Sequence, residues 1–264
     1  MLKSAFAVIK ADGSIKAWGD SNKGGANAPS GNDYTKIYST STAFAALKAD
    51  GSITAWGYSG AGGTGAPSDN GYTKIYSTVG AFAALKADGS IVAWGNPDWV
   101  ATSDNWGGKG APSDNGYTKI YSTGGAFAAL KADGSIAAWG GSNDGGTGAP
   151  SDNGYTKIYS TAYAFAALKA DGSITTWGDS HWGGGTDAPS DNGYTKIYST
   201  KYAFAALKAD GSITAWGGSR YGGTGAPSDN GYTKIYSTYT AFAALKADGS
   251  ITAWGAPMGD ARVE

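Results

Sequence analysis

The chain has 264 residues, with 20 Lys and Arg against 21 Asp and Glu, 44 glycines, 10 tryptophans and no cysteine. A formal charge of −1 gives none of the basic stripe that nucleic-acid binding requires, and the missing cysteine removes disulfides and thiolate chemistry. Glycine without a Gly-X-Y period excludes collagen, and no apolar run approaches the ~20 residues of a membrane-spanning helix.

From its first residues the chain enters a repeat, at Ala5-Phe6-Ala7-Val8 and then Trp18-Gly19, with no leader pattern before it. Either the protein is cytoplasmic, or it is a domain of a larger extracellular or cell-surface protein. Framework tryptophans follow at Trp18, Trp56, Trp94, Trp139, Trp177, Trp216 and Trp254, spaced 38, 38, 45, 38, 39 and 38 residues. Self-similarity at this period marks a solenoid, an array or a propeller.

Each unit holds three predicted strands. Thr73-Lys74-Ile75-Tyr76-Ser77-Thr78 is β-branched and aromatic, and Ala81-Phe82-Ala83-Ala84-Leu85-Lys86 alternates. Ser90-Ile91-Val92-Ala93-Trp94 follows Ala87-Asp88-Gly89, whose Asp-Gly pair is a hairpin signal because Gly accepts positive φ. A Gly-Gly-x-Gly-Ala-Pro-Ser-Asp-Asn-Gly stretch then leads to the next unit. The Ala-rich strands are expected nearest the ring axis, where large side chains would clash.

Three strands cannot bury both faces alone, so the units must stack. The expectation is an all-β, seven-bladed β-propeller of three to four strands per blade, a single domain over residues 1–264. The Thr-Lys-Ile-Tyr-Ser-Thr strand occurs six times, starting at residues 35, 73, 118, 156, 195 and 233, against seven for the other two. The C-terminal segment 256–264, with Arg262-Val263 in place of Lys-Ile, is expected to complete the first blade and close the ring.

The run Ala-Ala-Leu-Lys-Ala-Asp-Gly-Ser-Ile-Thr-Ala-Trp-Gly, followed by a variable stretch, Gly-Gly and Ala-Pro, resembles the regulator-of-chromosome-condensation repeat. It is most similar to the bacterial branch that includes propeller-type β-lactamase inhibitors. The likeness covers essentially the whole chain and implies a seven-bladed propeller. It departs at Gly-Gly, where relatives carry Gly-Gln, and at Tyr-Ser-Thr, where they often carry glycine. The resemblance also implies that the variable pair and the loop after Trp-Gly form the partner-binding face.

The strands are nearly invariant between copies, and the differences collect in two slots. One holds Ser41-Thr42, Val79-Gly80, Gly124-Gly125, Ala162-Tyr163, Lys201-Tyr202 and Tyr239-Thr240. The other follows Trp-Gly: Asn22-Lys23, Gly60-Ala61 beside Tyr58, Asn143-Asp144, His181-Trp182 and Arg220-Tyr221. Both lie at the strand ends opposite the Asp-Gly hairpin and are expected on one rim. The third unit adds an insertion within residues 96–106 that carries Trp99 and Trp106. Tyr, Trp and Arg dominate interface hot spots. The candidate partner-binding residues are therefore Tyr58, Trp99, Trp106, Tyr163, His181, Trp182, Lys201, Tyr202, Arg220, Tyr221 and Tyr239. Loop drift, or self-packing of the insertion, is the structural alternative.

One histidine without cysteines makes no His/Cys metal site. The Asp-Gly and Ser-Asp-Asn-Gly aspartates are read as turn formers, and no nucleophile elbow, phosphate loop or dinucleotide fingerprint occurs. The expectation is a non-enzymatic, monomeric recognition module for a protein partner, with no cofactor, metal, nucleic acid or membrane insertion. A carbohydrate-binding propeller is the runner-up, and a bare scaffold domain of a larger bacterial surface protein the third reading.

Overall fold

The computed structural model describes residues 5–95 and 106–256, so Trp99 and residues 257–264 of the segment expected to close the ring lie outside the described residues. Among the described residues every regular element longer than three residues is a strand. A two-stranded sheet comes first, β1 (Ala5–Ile9) with β2 (Ile15–Gly19). Six three-stranded sheets follow. The first three are β3 (Tyr34–Ser39), β4 (Ala43–Lys48) and β5 (Ile53–Gly57); β6 (Tyr72–Ser77), β7 (Ala81–Lys86) and β8 (Ile91–Gly95); and β9 (Tyr117–Ser122), β10 (Ala126–Lys131) and β11 (Ile136–Gly140). The last three are β12 (Tyr155–Ser160), β13 (Ala164–Lys169) and β14 (Ile174–Gly178); β15 (Tyr194–Ser199), β16 (Ala203–Lys208) and β17 (Ile213–Gly217); and β18 (Tyr232–Ser237), β19 (Ala241–Lys246) and β20 (Ile251–Gly255).

The sheets fall into two compact units. One spans Met1–Ala132 with Ala137–Ser142, the other Asp133–Ile136 with Asn143–Glu264. Pairing is antiparallel and repeats from copy to copy: in the second unit Phe165 faces Ser160 on one side and Trp177 on the other.

The Ala-rich strand holds the same place in every three-stranded sheet. AFAALK is the middle strand of every three-stranded sheet, between YTKIYS and the Trp-Gly strand. From sheet to sheet the YTKIYS strands approach one another, β3 with β6 and β6 with β9 in the first unit and β12 with β15 and β15 with β18 in the second, and the AFAALK strands β4, β7, β13 and β16 also approach the YTKIYS strand of the next sheet. A middle strand is covered on both edges and both faces, so its alanines are small because two sheets close over them. Ala166, Ala167, Ala205 and Ala206 are fully buried.

Sheets stack by a fixed exchange. Ala203, Ala205, Leu207 and Ile213 of one sheet cover Tyr232, Ile235, Phe242 and Trp254 of the next. From Trp56 onward each framework ring stacks on the Phe beside it, as Phe204 does on Trp216 at 5.3 Å, and its indole N–H donates to a glycine carbonyl in the loop that follows the preceding sheet. Trp216 Nε1 reaches Gly183 at 3.2 Å and Trp94 Nε1 reaches Gly62 at 3.1 Å. Burying apolar area at roughly 25 cal/mol per Å2 makes this contact the repeating source of stability. The first sheet differs: Phe6 and Trp18 stack at 5.6 Å but remain 50% and 45% exposed.

The Asp-Gly hairpins form as expected. Asp171 Oδ1 accepts from the Ser173 backbone N–H at 2.9 Å and from its hydroxyl at 2.7 Å. Gly172, at φ +81°, adds a second reason for glycine: a Cβ there would lie 2.3 Å from the backbone nitrogen of Tyr194, which donates to Gly172 O at 3.2 Å. The hairpin therefore also anchors the start of the next sheet.

Candidate functional site

The two variable slots of a sheet are joined by a buried threonine that sequence reading passes over. Thr161 Oγ1 accepts from Ala164 N at 3.0 Å, bracing the turn that carries Ala162-Tyr163, and donates to the carbonyl of Trp182 at 3.2 Å. Thr200 makes the same link to Tyr221 at 2.9 Å, and Thr40 and Thr78 link to Ala61 at 3.0 Å and Trp106 at 2.8 Å. Slots 21 residues apart in the unbroken repeat are thereby fixed side by side.

Neighbouring sheets are joined at the same level. In the second unit Ala162 N donates to Lys201 O at 2.8 Å, and Lys201 N donates to Tyr239 O at 3.2 Å. In the first, Ser41 N donates to Val79 O at 3.0 Å and Val79 N to Gly124 O at 2.9 Å. Within each unit, the first slots form one continuous row.

In the second unit this geometry gathers five rings. Tyr202 stacks on Tyr163 at 5.7 Å and lies 4.5 Å from Trp182, 4.4 Å from Tyr221 and 6.4 Å from Tyr239. Trp182 also meets Tyr221 edge-on at 5.9 Å. Its ring lies over Gly218, where a Cβ would come within 2.9 Å of it. Such pairs contribute about 0.5–1.5 kcal/mol beyond their buried area, so the patch is preorganised.

Lys201 sits among these rings, its Nζ 4.7 Å from the Tyr202 centroid and 4.9 Å from that of Tyr239. Partial burial pulls its pKa down, but hydrogen bonds to the Tyr202 and Tyr239 hydroxyls outweigh this and hold it above the ordinary lysine value. Lys201 is thus a firmly charged ammonium. The Tyr163 hydroxyl is pushed up by burial and by Tyr202.

The other candidates stand outside this cluster. His181 is 85% exposed, with Nδ1 3.2 Å from Asp179 Oδ1, and that carboxylate also caps its backbone N–H at 2.9 Å. Arg220 is exposed, and its carbonyl accepts from Ala256 N at 3.1 Å. Tyr58 and Trp106 belong to the first unit, where they line an apolar cleft of about 380 Å3 with Ala61, Val79 and Gly80. No group of three His, Cys, Asp or Glu among the described residues is placed to hold a metal.

The Ser-Asp-Asn-Gly aspartates do more than turn the chain. Asp191 accepts from the Tyr194 hydroxyl at 2.9 Å and from Lys208 Nζ, and that ammonium lies 4.8 Å from the Tyr194 ring. The same triad occurs at Asp69, Asp114, Asp152 and Asp229. It sits at the hairpin end of the strands, away from the variable slots.

No protein-family model matches the chain, and no curated protein does. Solved structures do. The entire ectodomain of the Physcomitrella patens receptor kinase CR4 superposes with a TM-score of 0.51 at 20% identity, covering 81% of this chain. The chain spans 60% of that ectodomain's length. The CRINKLY WD40 ectodomain of the Arabidopsis thaliana receptor kinase ACR4 gives 0.50 at 16% identity over 95% of this chain and 90% of its own. Prp20p from Saccharomyces cerevisiae, the yeast RCC1, gives 0.49 at 15% over 84% and 72%. At these identities the likeness concerns fold. With the seven sheets above, it defines an all-β, seven-bladed propeller.

Proposed function

We propose that this chain is a non-enzymatic recognition module that binds a protein partner through the aromatic patch of its second unit. One observation carries this reading. Tyr202 touches Tyr163, Trp182, Tyr221 and Tyr239, and all five rings occupy positions where otherwise matching copies differ. Rigid aromatic side chains give large contact area at low entropic cost, which suits the centre of an interface. Lys201 adds a positive charge within the patch, and Arg220 a solvent-exposed one outside the ring cluster.

A sugar-binding propeller is less well supported. Repeated sugar sites call for like platforms, whereas Trp182–Tyr221 and Tyr202–Tyr221 meet edge-on at 84° and 74°. The repeat's resemblance to propeller-type β-lactamase inhibitors makes a β-lactamase one protein to include in the test, although the loop residues that would carry that activity are not matched here. The test is capture from β-lactamase preparations and from cell extract, using the chain and its Trp182→Ala/Tyr202→Ala/Tyr221→Ala variant. Capture of a defined protein, lost in a variant whose melting is unchanged, is the expected result. A glycan that binds the chain but not the variant would replace this reading with a lectin, and capture undiminished in the variant would refute it.

A further inference from the structure

The apolar cleft of the first unit has a different character from the patch of the second. The matching positions hold small residues: Ala61 where Trp182 and Tyr221 stand, and Gly80 where Tyr163 and Tyr202 stand. Their absent side chains leave the space. Its walls are the rings of Tyr58 and Trp106, each laid across glycine. A Cβ on Gly60 would fall 2.4 Å from Tyr58 Cε1, and one on Gly80 would touch Trp106 at 3.6 Å. The Trp106 carbonyl is held by the Thr78 hydroxyl at 2.8 Å, which fixes that wall.

The volume, about 380 Å3, falls within the roughly 300–1,000 Å3 of small-molecule sites. The exposed surface of the wall is mostly apolar, although Asn22, Lys23, Ser41 and Thr42 also line it. Lys23 is the one basic side chain in it, and its ammonium is paired with Asp20 at 3.4 Å. The cleft thus presents flat rings and no net charge. A charged ligand entering it would lose hydration without gaining a partner; an uncharged flat ring system loses little.

We propose that this cleft is a binding site for a small, uncharged aromatic molecule of one or two fused rings, held between Tyr58 and Trp106. The site goes beyond protein recognition and shares no residue with the second unit's patch.

The test uses 5-fluoroindole, followed by fluorine NMR in the presence of the chain. Saturable broadening with one molecule bound per chain is expected. Val79→Trp fills the cleft from a 39% exposed position whose backbone hydrogen bonds are kept, and it should weaken binding more than tenfold. Thr42→Phe fills it from the adjoining sheet and should do the same, which guards against one variant failing to fold. Tyr202→Ala should leave binding unchanged, so failure here and failure of the protein-recognition reading are told apart. Replacing 5-fluoroindole with its 2-carboxylate should weaken binding. Absence of saturable binding, binding that survives both fillings, or tighter binding of the carboxylate would each overturn the proposal.

Discussion

The hydroxyl of Thr161 donates to the carbonyl of Trp182 at 3.2 Å, and so binds the two places where this sheet differs from its copies. The same oxygen accepts from Ala164 N at 3.0 Å. One buried side chain therefore holds both variable slots in register. Thr161→Val keeps the shape and removes both bonds, and leaving buried groups unpaired costs about 1–3 kcal/mol. Chemical denaturation should show a loss of that size with an unchanged slope. A loss indistinguishable from zero would show that the link is incidental.

Glycines after the second slot divide into two kinds. Gly183, at φ +102°, would place a Cβ 2.7 Å from Phe204 Cδ2, whereas Gly193, at φ +85°, has open space around it. Gly193→Ala should cost only the left-handed backbone strain, about 1–2 kcal/mol. Gly183→Ala must also displace a buried ring that stacks on Trp216, so its loss should be clearly greater. Equal melting temperatures for the two variants would refute the packing argument.

Trp216 is 1% exposed, stacks on Phe204 and donates to Gly183. Trp216→Ala should lose about 3–5 kcal/mol, as large-to-small substitutions of core aromatics do. Trp18→Ala should lose far less, because that ring is 45% exposed. Parallel denaturation curves of the two variants provide the comparison.

Acid should destabilise the fold through its repeated aspartates. Hydrogen bonds from Lys169 and then Tyr155 hold the Asp152 carboxyl below its ordinary value of 3.8, and Ser173 does so for Asp171. A depressed folded-state pKa contributes stability that is complete above the unfolded value and lost as pH falls through the folded one. Melting temperature should hold from neutrality to about pH 5 and fall progressively below the ordinary aspartate range. Asp152→Asn should flatten part of that fall, and an acid profile unchanged by this substitution would count against the triad.

Much of the fold was legible because it is written many times. The period, the Asp-Gly hairpins and the Trp-Gly strands place every sheet, since each local signal agrees with the others. What makes the middle strand so rich in alanine was less legible, because small residues suit both a crowded axis and a strand covered on both faces. At the site, the slots were visible as differences between copies. What joins them was not, since Thr161 and Thr200 are constant and act through carbonyls across the sheet. The division of the candidates was equally hidden: Tyr202 and Trp106 read alike as exposed aromatics, yet one is the hub of a filled cluster and the other a wall of an open cleft.

Tyr202 is the centre of the proposed recognition surface. Once a partner is in hand, its affinity should be measured for Tyr163→Ala, Trp182→Ala, Tyr202→Ala, Tyr221→Ala, Arg220→Ala and His181→Ala. The account predicts a loss above about 2 kcal/mol for Tyr202→Ala, intermediate losses for the rings touching it and near-neutral values for His181→Ala. A flat series, or losses greatest at His181 and Arg220, would contradict it.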